Sequence, residues 1–309
     1  MKHINIIVPV YNEEETIAPL VEAIREALKD ILYDYSILFI DDGSTDLTLN
    51  NIKGLSVKDN DIQYISFSRN FGHQNALKAG LDKANGDCII TMDGDMQHPA
   101  DLIPIMLKKY EEGYDVVYTI RMEDKKLPFL KRKTSSLFYS LLNKLSDVRV
   151  EKGSADFRLL ANHVAIALKS LPEYDLFFRG LVKWAGFRQT SIEYYPAQRA
   201  KGATKYTFRK MVRFGLFGIL SFTTRPLHLA VYSGFLFSGL SLLYLPYVLY
   251  SYYYGYAISG WASVIVTIAF FGGIQLMVLG IIGLYIGRIF MQVKNRPAYV
   301  IKETNIYEQ

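Results

Sequence analysis

The sequence predicts an α/β protein with a mainly parallel, Rossmann-like sheet, joined to two apolar helices near the C-terminus. Three observations support this fold class. Short β-rich runs alternate with segments of helical periodicity in the first 120 residues, polar residues follow four of these runs, and no Lys, Arg, Asp or Glu occurs at 226–287. Alternating strands and helices are typical of a parallel sheet that helices cover on both faces.

The strands are predicted from runs of apolar and β-branched residues at 4–10, 36–40, 62–67, 88–92 and 116–118. The helix after the first strand is predicted from apolar residues at helical spacing, namely Ile17, Leu20, Val21, Ile24, Leu28 and Ile31. Three glutamates at 13–15 fall in its first turn, where the helix dipole favours negative charge. We expect a second helix after Asp46 and a third through Leu77 and Leu81.

The uncharged stretch contains two candidate membrane spans, at about 227–250 and 261–287. Each exceeds the roughly 20 residues that cross a hydrocarbon core of ~30 Å as a helix. Basic residues such as Arg225 and Arg288 flank the pair, whereas the connection between the spans carries no charge. The positive-inside rule therefore predicts an integral membrane protein with both termini and the N-terminal domain in the cytoplasm.

Two more segments are predicted to lie on the membrane surface as amphipathic helices, because both interleave Lys and Arg with Phe and Leu. The expected organisation is a soluble domain at 1–205 that includes one such helix at about 127–146, a juxtamembrane helix at 206–225, two spans within 226–288 and a cytoplasmic tail at 289–309. Glycines in the second span would let helices pack closely, so a homo-oligomer is a further expectation.

Composition limits the kinds of molecule that the protein is expected to bind. The 309 residues carry a net charge of +5. The basic residues gather beside apolar segments, which fits anionic lipid or phosphate and argues against nucleic acid. The single cysteine, Cys88, excludes an internal disulfide, and its apolar neighbours favour a buried, inert thiol.

Polar residues follow four predicted strands, at 11–13, 41–44, 68–70 and 93–95. Ligands of open α/β sheets bind beyond the carboxyl ends of the strands, so these residues are expected to share one site. The sequence contains neither GxGxxG nor GxxxxGK[ST], and phosphates must therefore be held in another way.

Two acidic motifs carry the candidate chemistry, and each has a structural alternative. Asp93-Gly94-Asp95 offers hard oxygen donors that suit Mg²⁺ or Mn²⁺ bridging a diphosphate, with Gln97 as a further oxygen ligand. The alternative is an ordinary turn. Asp42 either belongs to a turn and helix N-cap or accepts the N3–H of a uracil ring that Tyr11 frames.

The combination of motifs resembles the family-2 glycosyltransferases of the GT-A fold. The resemblance lies in VPVYNEE (8–14), DDGSTD (41–46) and DGDMQHP (93–99). Further along, SRNFGHQ (68–74), ADFRLL (155–160), FRGLVKWAGFRQ (178–189) and RAKGATKY (199–206), followed by two spans, are similar to polyprenyl-phosphate glycosyltransferases related to dolichol-phosphate mannose synthase and bacterial GtrB. The resemblance implies inverting transfer of a hexose from a nucleotide diphosphate sugar, expected to be a UDP-sugar, to undecaprenyl or dolichyl phosphate.

The resemblance also implies roles for individual residues. The nucleotide sugar would contact Pro9, Tyr11, Glu13, Asp42, Asp93, Arg199 and Lys205. The metal would bind Asp93, Asp95 and Gln97. The lipid phosphate would bind Arg121, Lys131 or Arg132, and Ser135. Asp156 and Arg158 would sit beside the reacting centre, with Asp156 as either a base or orienting group, or simply an ion-pair partner of a neighbouring cation.

Two other functions are weighed against this one. A processive polysaccharide synthase usually carries a QxxRW motif and more spans, and the sequence has neither. A non-catalytic scaffold or flippase component could retain the same fold, although the intact carboxylates argue against lost activity.

Overall fold

A computed structural model describes residues 2–122, 151, 153–173, 177–195, 223–255 and 260–306. These residues form two compact units. The first contains the described residues up to 195 together with those from 297 onward, and the second contains those from 223 to 296. The predicted amphipathic helix at 127–146 lies outside the described residues, as does the one at 206–225 except for its last three residues.

The first unit is built on a sheet whose described strands are β1 (Lys2–Val10), β2 (Tyr33–Asp41), β3 (Ile62–Phe67), β4 (Cys88–Thr91), β5 (Val116–Arg121), β6 (Ser154–Ala161), β7 (Gln189–Tyr194) and β8 (Ile301–Thr304). Their order across the sheet is β7-β5-β6-β4-β1-β2-β3-β8. The pairs β1–β2, β1–β4, β2–β3 and β5–β7 are parallel, while β6 runs antiparallel to β4 and β5. The predicted α/β class with a mainly parallel sheet is confirmed.

Helices pack against this sheet: α1 (Ile17–Leu28), α2 (Thr48–Ser56), α3 (His73–Lys83), α4 (Leu102–Glu111), α5 (Asn162–Lys169) and α6 (Phe178–Trp184). The central strand β1 is buried from residue 4 to residue 10, as expected for a strand covered on both faces. The predicted apolar stripe of α1 is buried in the core, where it removes apolar surface from water.

Strand β8 was not predicted. Residues 289–309 are predicted to be a cytoplasmic tail, and the structure pairs Ile301–Thr304 antiparallel with β3 at the edge of the sheet. These four residues are mostly exposed and too few for a strand pattern, and their pairing partner lies more than 230 positions earlier in the chain.

The second unit contains α7 (Arg225–Tyr253) and α8 (Trp261–Val293). Both helices are long and apolar enough to cross a membrane, by length and composition. Most of their described side chains are exposed, and the rings of Phe270 and Phe271 pack edge-on against Phe237. A Cβ added at Gly280 or Gly283 would meet nothing within 4 Å, so no described residue covers that face of α8. A homo-oligomer through these glycines stays a prediction.

Candidate active site

Three parallel strands end at the same edge of the sheet and bring the predicted motifs together. Val10 at the end of β1 pairs with Asp41 at the end of β2, and the Asp42 N–H donates to the Val10 carbonyl at 2.9 Å. On the other side of β1, the Met92 N–H donates to the Ile7 carbonyl at 3.0 Å, which directs the following turn toward the same edge. The strand-end convergence expected of a parallel sheet is therefore present.

A cleft of about 300 Å³ opens at this edge. Its lining includes six residues singled out from the sequence, namely Pro9, Tyr11, Glu13, Asp42, Asp93 and Asp95. Asn70, one of the polar residues expected at this edge of the sheet, also lines it, and so does His73. Tyr11 is 45% exposed, so its ring is available to a ligand in the cleft.

Asp42 is held by the loop that follows β3. Its two carboxylate oxygens accept the N–H groups of Phe71 at 2.6 Å and Gly72 at 2.9 Å. Burial raises the pKa of the Asp42 carboxyl, although these two hydrogen bonds offset part of the shift. Each oxygen keeps lone-pair capacity for a ligand N–H.

The motif also leads into α2, as the structural alternative for it expected. The N-cap residue of α2 is Leu47, whose side chain makes no capping hydrogen bond, and Asp46 accepts the N–H of Thr48, the first residue of α2, at 3.0 Å. The turn is therefore present without a side-chain N-cap, and Asp42 faces the cleft.

The Asp93-Gly94-Asp95 turn packs tightly against the end of β1. A Cβ at Gly94 would lie 2.6 Å from Val10 Cγ1, so the backbone can approach β1 only without a side chain there. The Oδ1 atom of Asp93 is buried and accepts no hydrogen bond from the described residues; His73 Nε2 lies 3.4 Å away. A buried carboxylate oxygen without a hydrogen bond is costly unless a ligand or cation completes it.

Gln97 connects the acidic turn to the end of β5. Its amide nitrogen donates to Asp95 Oδ2 at 2.7 Å, and its oxygen accepts from the Arg121 guanidinium at 2.8 Å. The Gln97 oxygen, predicted to be a metal ligand, thus accepts a hydrogen bond from Arg121 in this structure. The Gln97 amide nitrogen orients the Asp95 carboxylate. Arg121, predicted to bind lipid phosphate, is exposed at the end of β5 beside this turn.

His98 holds the backbone of the Asp93-Gly94-Asp95 turn by a hydrogen bond. Its Nδ1 accepts the Asp93 N–H at 3.0 Å, and its ring stacks on Phe157 with centroids 5.2 Å apart. Burial lowers the pKa of His98, which keeps the ring neutral and able to accept this hydrogen bond.

The Asp156 carboxylate lies in an ion-pair cluster with two arginines. Arg179 donates from Nε and from a terminal nitrogen to its two oxygens, both at 2.9 Å, and Arg158 lies 3.3 Å away. Burial alone would raise the pKa of Asp156, but the Arg179 guanidinium and its hydrogen bonds hold that pKa well below its usual range. These contacts favour the ion-pair alternative, because a carboxylate so held is a weak proton acceptor.

His73 bridges this cluster and the acidic turn. Its Nε2 lies 3.4 Å from Asp93 Oδ1 and 3.6 Å from Asp156 Oδ2. Burial lowers the pKa of His73, but the two carboxylates outweigh burial and raise it to about 9. The ring therefore carries a positive charge at neutral pH, which the sequence alone did not indicate because a lone histidine has no characteristic spacing.

Arg179 is the main functional candidate missed from the sequence. It lies at the start of α6, within the segment 178–189 that carries the family resemblance, and its pairing with the buried Asp156 is what marks it as a functional candidate. Five predicted residues lie outside the described residues, and the structure leaves their roles as predictions: Lys131, Arg132, Ser135, Arg199 and Lys205.

The acidic turn fits a hard divalent cation. Among the described residues, no group of three or more His, Cys, Asp or Glu side chains is arranged to hold a metal by itself. Asp93 and Asp95 instead provide two carboxylates, one with an unsatisfied oxygen, which suits an ion that takes its remaining ligands from a diphosphate and water.

Fold and site together define a glycosyltransferase of the GT-A type, with a polar cleft at the carboxyl edge of a mainly parallel sheet. The family model described as Glycosyl transferase family 2 matches residues 5–164. The chain belongs to glycosyl transferase family 2.

Relatives match the chain over nearly its full length. The chain is 42% identical over 301 residues to the uncharacterized glycosyltransferase YkcC of Bacillus subtilis, covering 97% of this chain and 93% of that protein. It is 40% identical over 300 residues to the bactoprenol glucosyl transferase of Shigella phage SfV, covering 97% and 98%. The structure of glucosyl-3-phosphoglycerate synthase from Mycobacterium tuberculosis with uridine-diphosphate is similar with a TM-score of 0.45 and 20% identity, covering 71% of this chain and 79% of that one.

Proposed function

We propose that this glycosyltransferase transfers a hexose from a UDP-sugar to a polyprenyl phosphate, with inversion at the anomeric carbon. The observation that carries the proposal is the Asp93–Asp95 turn in the cleft, where one buried carboxylate oxygen lacks a hydrogen bond. Relatives named bactoprenol glucosyl transferase, matched over nearly their whole length, support a polyprenyl phosphate acceptor and make glucose the first sugar to test.

The donor would occupy the cleft with its base toward Asp42 and its diphosphate toward the acidic turn. Asp42 has acceptor capacity for the N3–H of uracil, and Tyr11 is exposed beside it. Asp93 and Asp95 would hold Mg²⁺ or Mn²⁺, which, when bound, neutralises charge on the departing nucleotide diphosphate. His73 Nε2 lies 3.4 Å from Asp93 Oδ1, on the wall of the same cleft.

The acceptor requires little proton transfer. A phosphate monoester oxygen is already anionic near neutral pH, so positioning and charge neutralisation can provide most of the rate acceleration. Arg121, fixed through Gln97 to the acidic turn, is exposed and suited to an incoming phosphate. Asp156 would orient Arg179 and Arg158 and would not act as a base.

A membrane location agrees with a polyprenyl acceptor. The two apolar helices α7 and α8 can cross a bilayer by length and composition, and the basic residues that flank them favour a cytoplasmic position for both termini. A cytoplasmic catalytic domain would have access to nucleotide sugars.

The test is product formation by the purified full-length chain. With UDP-glucose, a polyprenyl phosphate and Mg²⁺, it should form a lipid-linked hexose detectable by mass spectrometry, and a mixed pool of nucleotide sugars would identify the preferred donor. Asp95→Ala should abolish turnover, whereas Asp101→Ala, an exposed carboxylate at the start of α4, should not. Full activity of Asp95→Ala in the presence of a chelator would contradict the metal assignment. Binding of the lipid phosphate without consumption of any nucleotide sugar would favour a non-catalytic role.

A further inference from the structure

The last described residues, 297–306, lie along the exposed edge of β3; we name them the C-terminal strap. Strand β8 within the strap pairs antiparallel with β3, with Thr304 opposite Ile65 and Ile301 opposite Phe67. Glu303 also forms an ion pair with Lys53 of α2. The strap follows both apolar helices in the sequence, since α8 ends at Val293.

The two ends of the strap contact different parts of β3. At the distal end, Asn305 accepts the Tyr64 N–H at 2.7 Å and donates to the Ile62 carbonyl at 3.2 Å. Both of these contacts fall in the first half of β3, away from the cleft edge where the strand ends.

The near end of the strap contacts the residues that lead into the cleft. The Val300 carbonyl accepts the Ser68 N–H at 3.0 Å. The Tyr299 ring stacks on Phe67 with centroids 5.1 Å apart, and its hydroxyl donates to Asp82 of α3 at 3.1 Å. The near end is therefore attached both to the end of β3 and to α3.

Between Phe67 and α3 runs a short loop, 68–72, which we name the donor loop. Phe71 in this loop packs edge-on against Phe67, with centroids 5.7 Å apart. The N–H groups of Phe71 and Gly72 are the two donors that hold the Asp42 carboxylate. Residues 68–70 are exposed, and their backbone passes Gly43, so the loop is held there and by the contacts at its two ends.

We infer that the C-terminal strap positions the donor loop, and through it the Asp42 carboxylate, for nucleotide binding. The contacts form a continuous series: Tyr299 on Phe67, Phe67 on Phe71, and the Phe71 N–H on Asp42. This inference rests on the proposed function for the identity of the ligand. It makes the nucleotide site dependent on residues translated after both apolar helices.

The competing explanation is that the strap only stabilises the edge of the sheet. The two explanations differ in what each end of the strap should do. If the strap only stabilises the sheet, replacing Asn305 and replacing Tyr299 should affect the nucleotide site equally. If the strap positions the donor loop, only the replacement of Tyr299, at the near end, should affect that site.

The experiment compares full-length variants in detergent by hydrogen exchange and by calorimetric titration with UDP and Mg²⁺. In Tyr299→Ala the amides of Phe71 and Gly72 should exchange faster, and the Kd for UDP should rise about fivefold, the equivalent of losing about 1 kcal/mol of ring packing. Tyr299→Phe keeps the ring and loses the hydroxyl, so its Kd should stay within about twofold of the wild type. Asn305→Ala should lower the melting temperature and leave both the Phe71 and Gly72 exchange and the Kd unchanged.

Two outcomes would overturn the inference. One is a folded Tyr299→Ala protein with wild-type exchange at Phe71 and Gly72; the other is an equal loss of UDP affinity in Asn305→Ala. If Tyr299→Ala does not fold, Tyr299→Leu replaces it, because leucine keeps apolar contact without a planar ring. A wild-type chain that does not bind UDP contradicts the proposed donor instead, and the exchange measurement, which needs no ligand, still decides the role of the strap.

Discussion

Arg179 donates two parallel hydrogen bonds of 2.9 Å to Asp156, one from Nε and one from a terminal nitrogen. Asp156 is buried, whereas the Arg179 side chain is 31% exposed. This fork geometry is specific to a guanidinium, and it couples the start of α6 to β6. His73, which lines the cleft, lies 3.6 Å from the same carboxylate.

Replacing Arg179 should destabilise the fold and reduce turnover. Arg179→Ala leaves the buried Asp156 charge with Arg158 and His73 only, and we expect a loss of about 2–3 kcal/mol in the free energy of unfolding, less than for a fully buried pair because Arg179 is partly exposed. Arg179→Lys keeps the charge without the fork and should lose less. Denaturant unfolding with a parallel kcat measurement tests both variants.

An exposed ion pair provides the control for that prediction. Arg25 pairs with Asp59 while its side chain is 46% exposed, so Arg25→Ala should cost less than about 1 kcal/mol and leave kcat unchanged. An Arg179→Ala protein as stable as Arg25→Ala would mean that Asp156 does not depend on Arg179.

Gly43 should tolerate no side chain, because it supports the donor loop. Its φ is +71°, and an added Cβ would lie 2.5 Å from the backbone carbon of Arg69. Gly43→Ala should therefore displace the loop, raise the KM for the nucleotide sugar and cost about 1–3 kcal/mol of stability.

Gly54 is the matched control for Gly43. It lies within α2, and a Cβ there would contact nothing within 4 Å. Gly54→Ala should stabilise the protein by about 0.5–1 kcal/mol without changing the KM. Equal KM values for the two alanine variants would show that the donor loop is not held against Gly43.

The sheet and the acidic motifs could be predicted because each has a local signal. The buried strand at 88–92 is a continuous apolar run, and the carboxylates that follow it fall at the strand end, where a parallel sheet places its ligands. The stripe that begins at Ile17 likewise repeats at helical spacing and is buried in the core.

The remaining features depend on contacts between distant parts of the chain. The pairing of Arg179 with Asp156 joins positions 23 residues apart, and the strap joins Tyr299 to Phe67 across more than 230 residues. Arg179 and Asp156 each lie in a segment that carries the family resemblance, but neither segment indicates that the two side chains pair, and the strap has no periodic or motif signal. The environment of Asp156 likewise follows from which cations pack around it, so the sequence alone left open both a base and an ion-pair partner.

His98 should be needed as a hydrogen-bond acceptor and not as an acid. His98→Phe keeps a ring for stacking on Phe157 but leaves the Asp93 N–H without its acceptor, and we expect a loss of about 1–3 kcal/mol in stability. Because the turn would then be less well fixed, the Mg²⁺ concentration for half-maximal activity should rise. His98→Asn, which offers an acceptor oxygen, should recover part of the Mg²⁺ dependence; if it resembles His98→Phe, the loss of the acceptor does not explain the effect.

Cys88 should be unreactive in the folded protein and should make stability fall at high pH. The thiol is fully buried in β4, and burial raises its pKa to about 12. In the unfolded chain the pKa is about 8.5. The folded state therefore binds the proton more tightly, and this contribution to stability is complete below about pH 8.5 and is lost as the pH rises toward 12.

Between these values the wild type should lose up to about 1.4 kcal/mol per pH unit more than Cys88→Ala, which has no thiol to titrate. Denaturant unfolding at pH 8, 9 and 10 measures the difference, with parallel slopes for the two proteins as the contradicting result. Because Cys88 is the only cysteine, thiol labelling at pH 8 gives an independent test: labelling should be slow until denaturant is added.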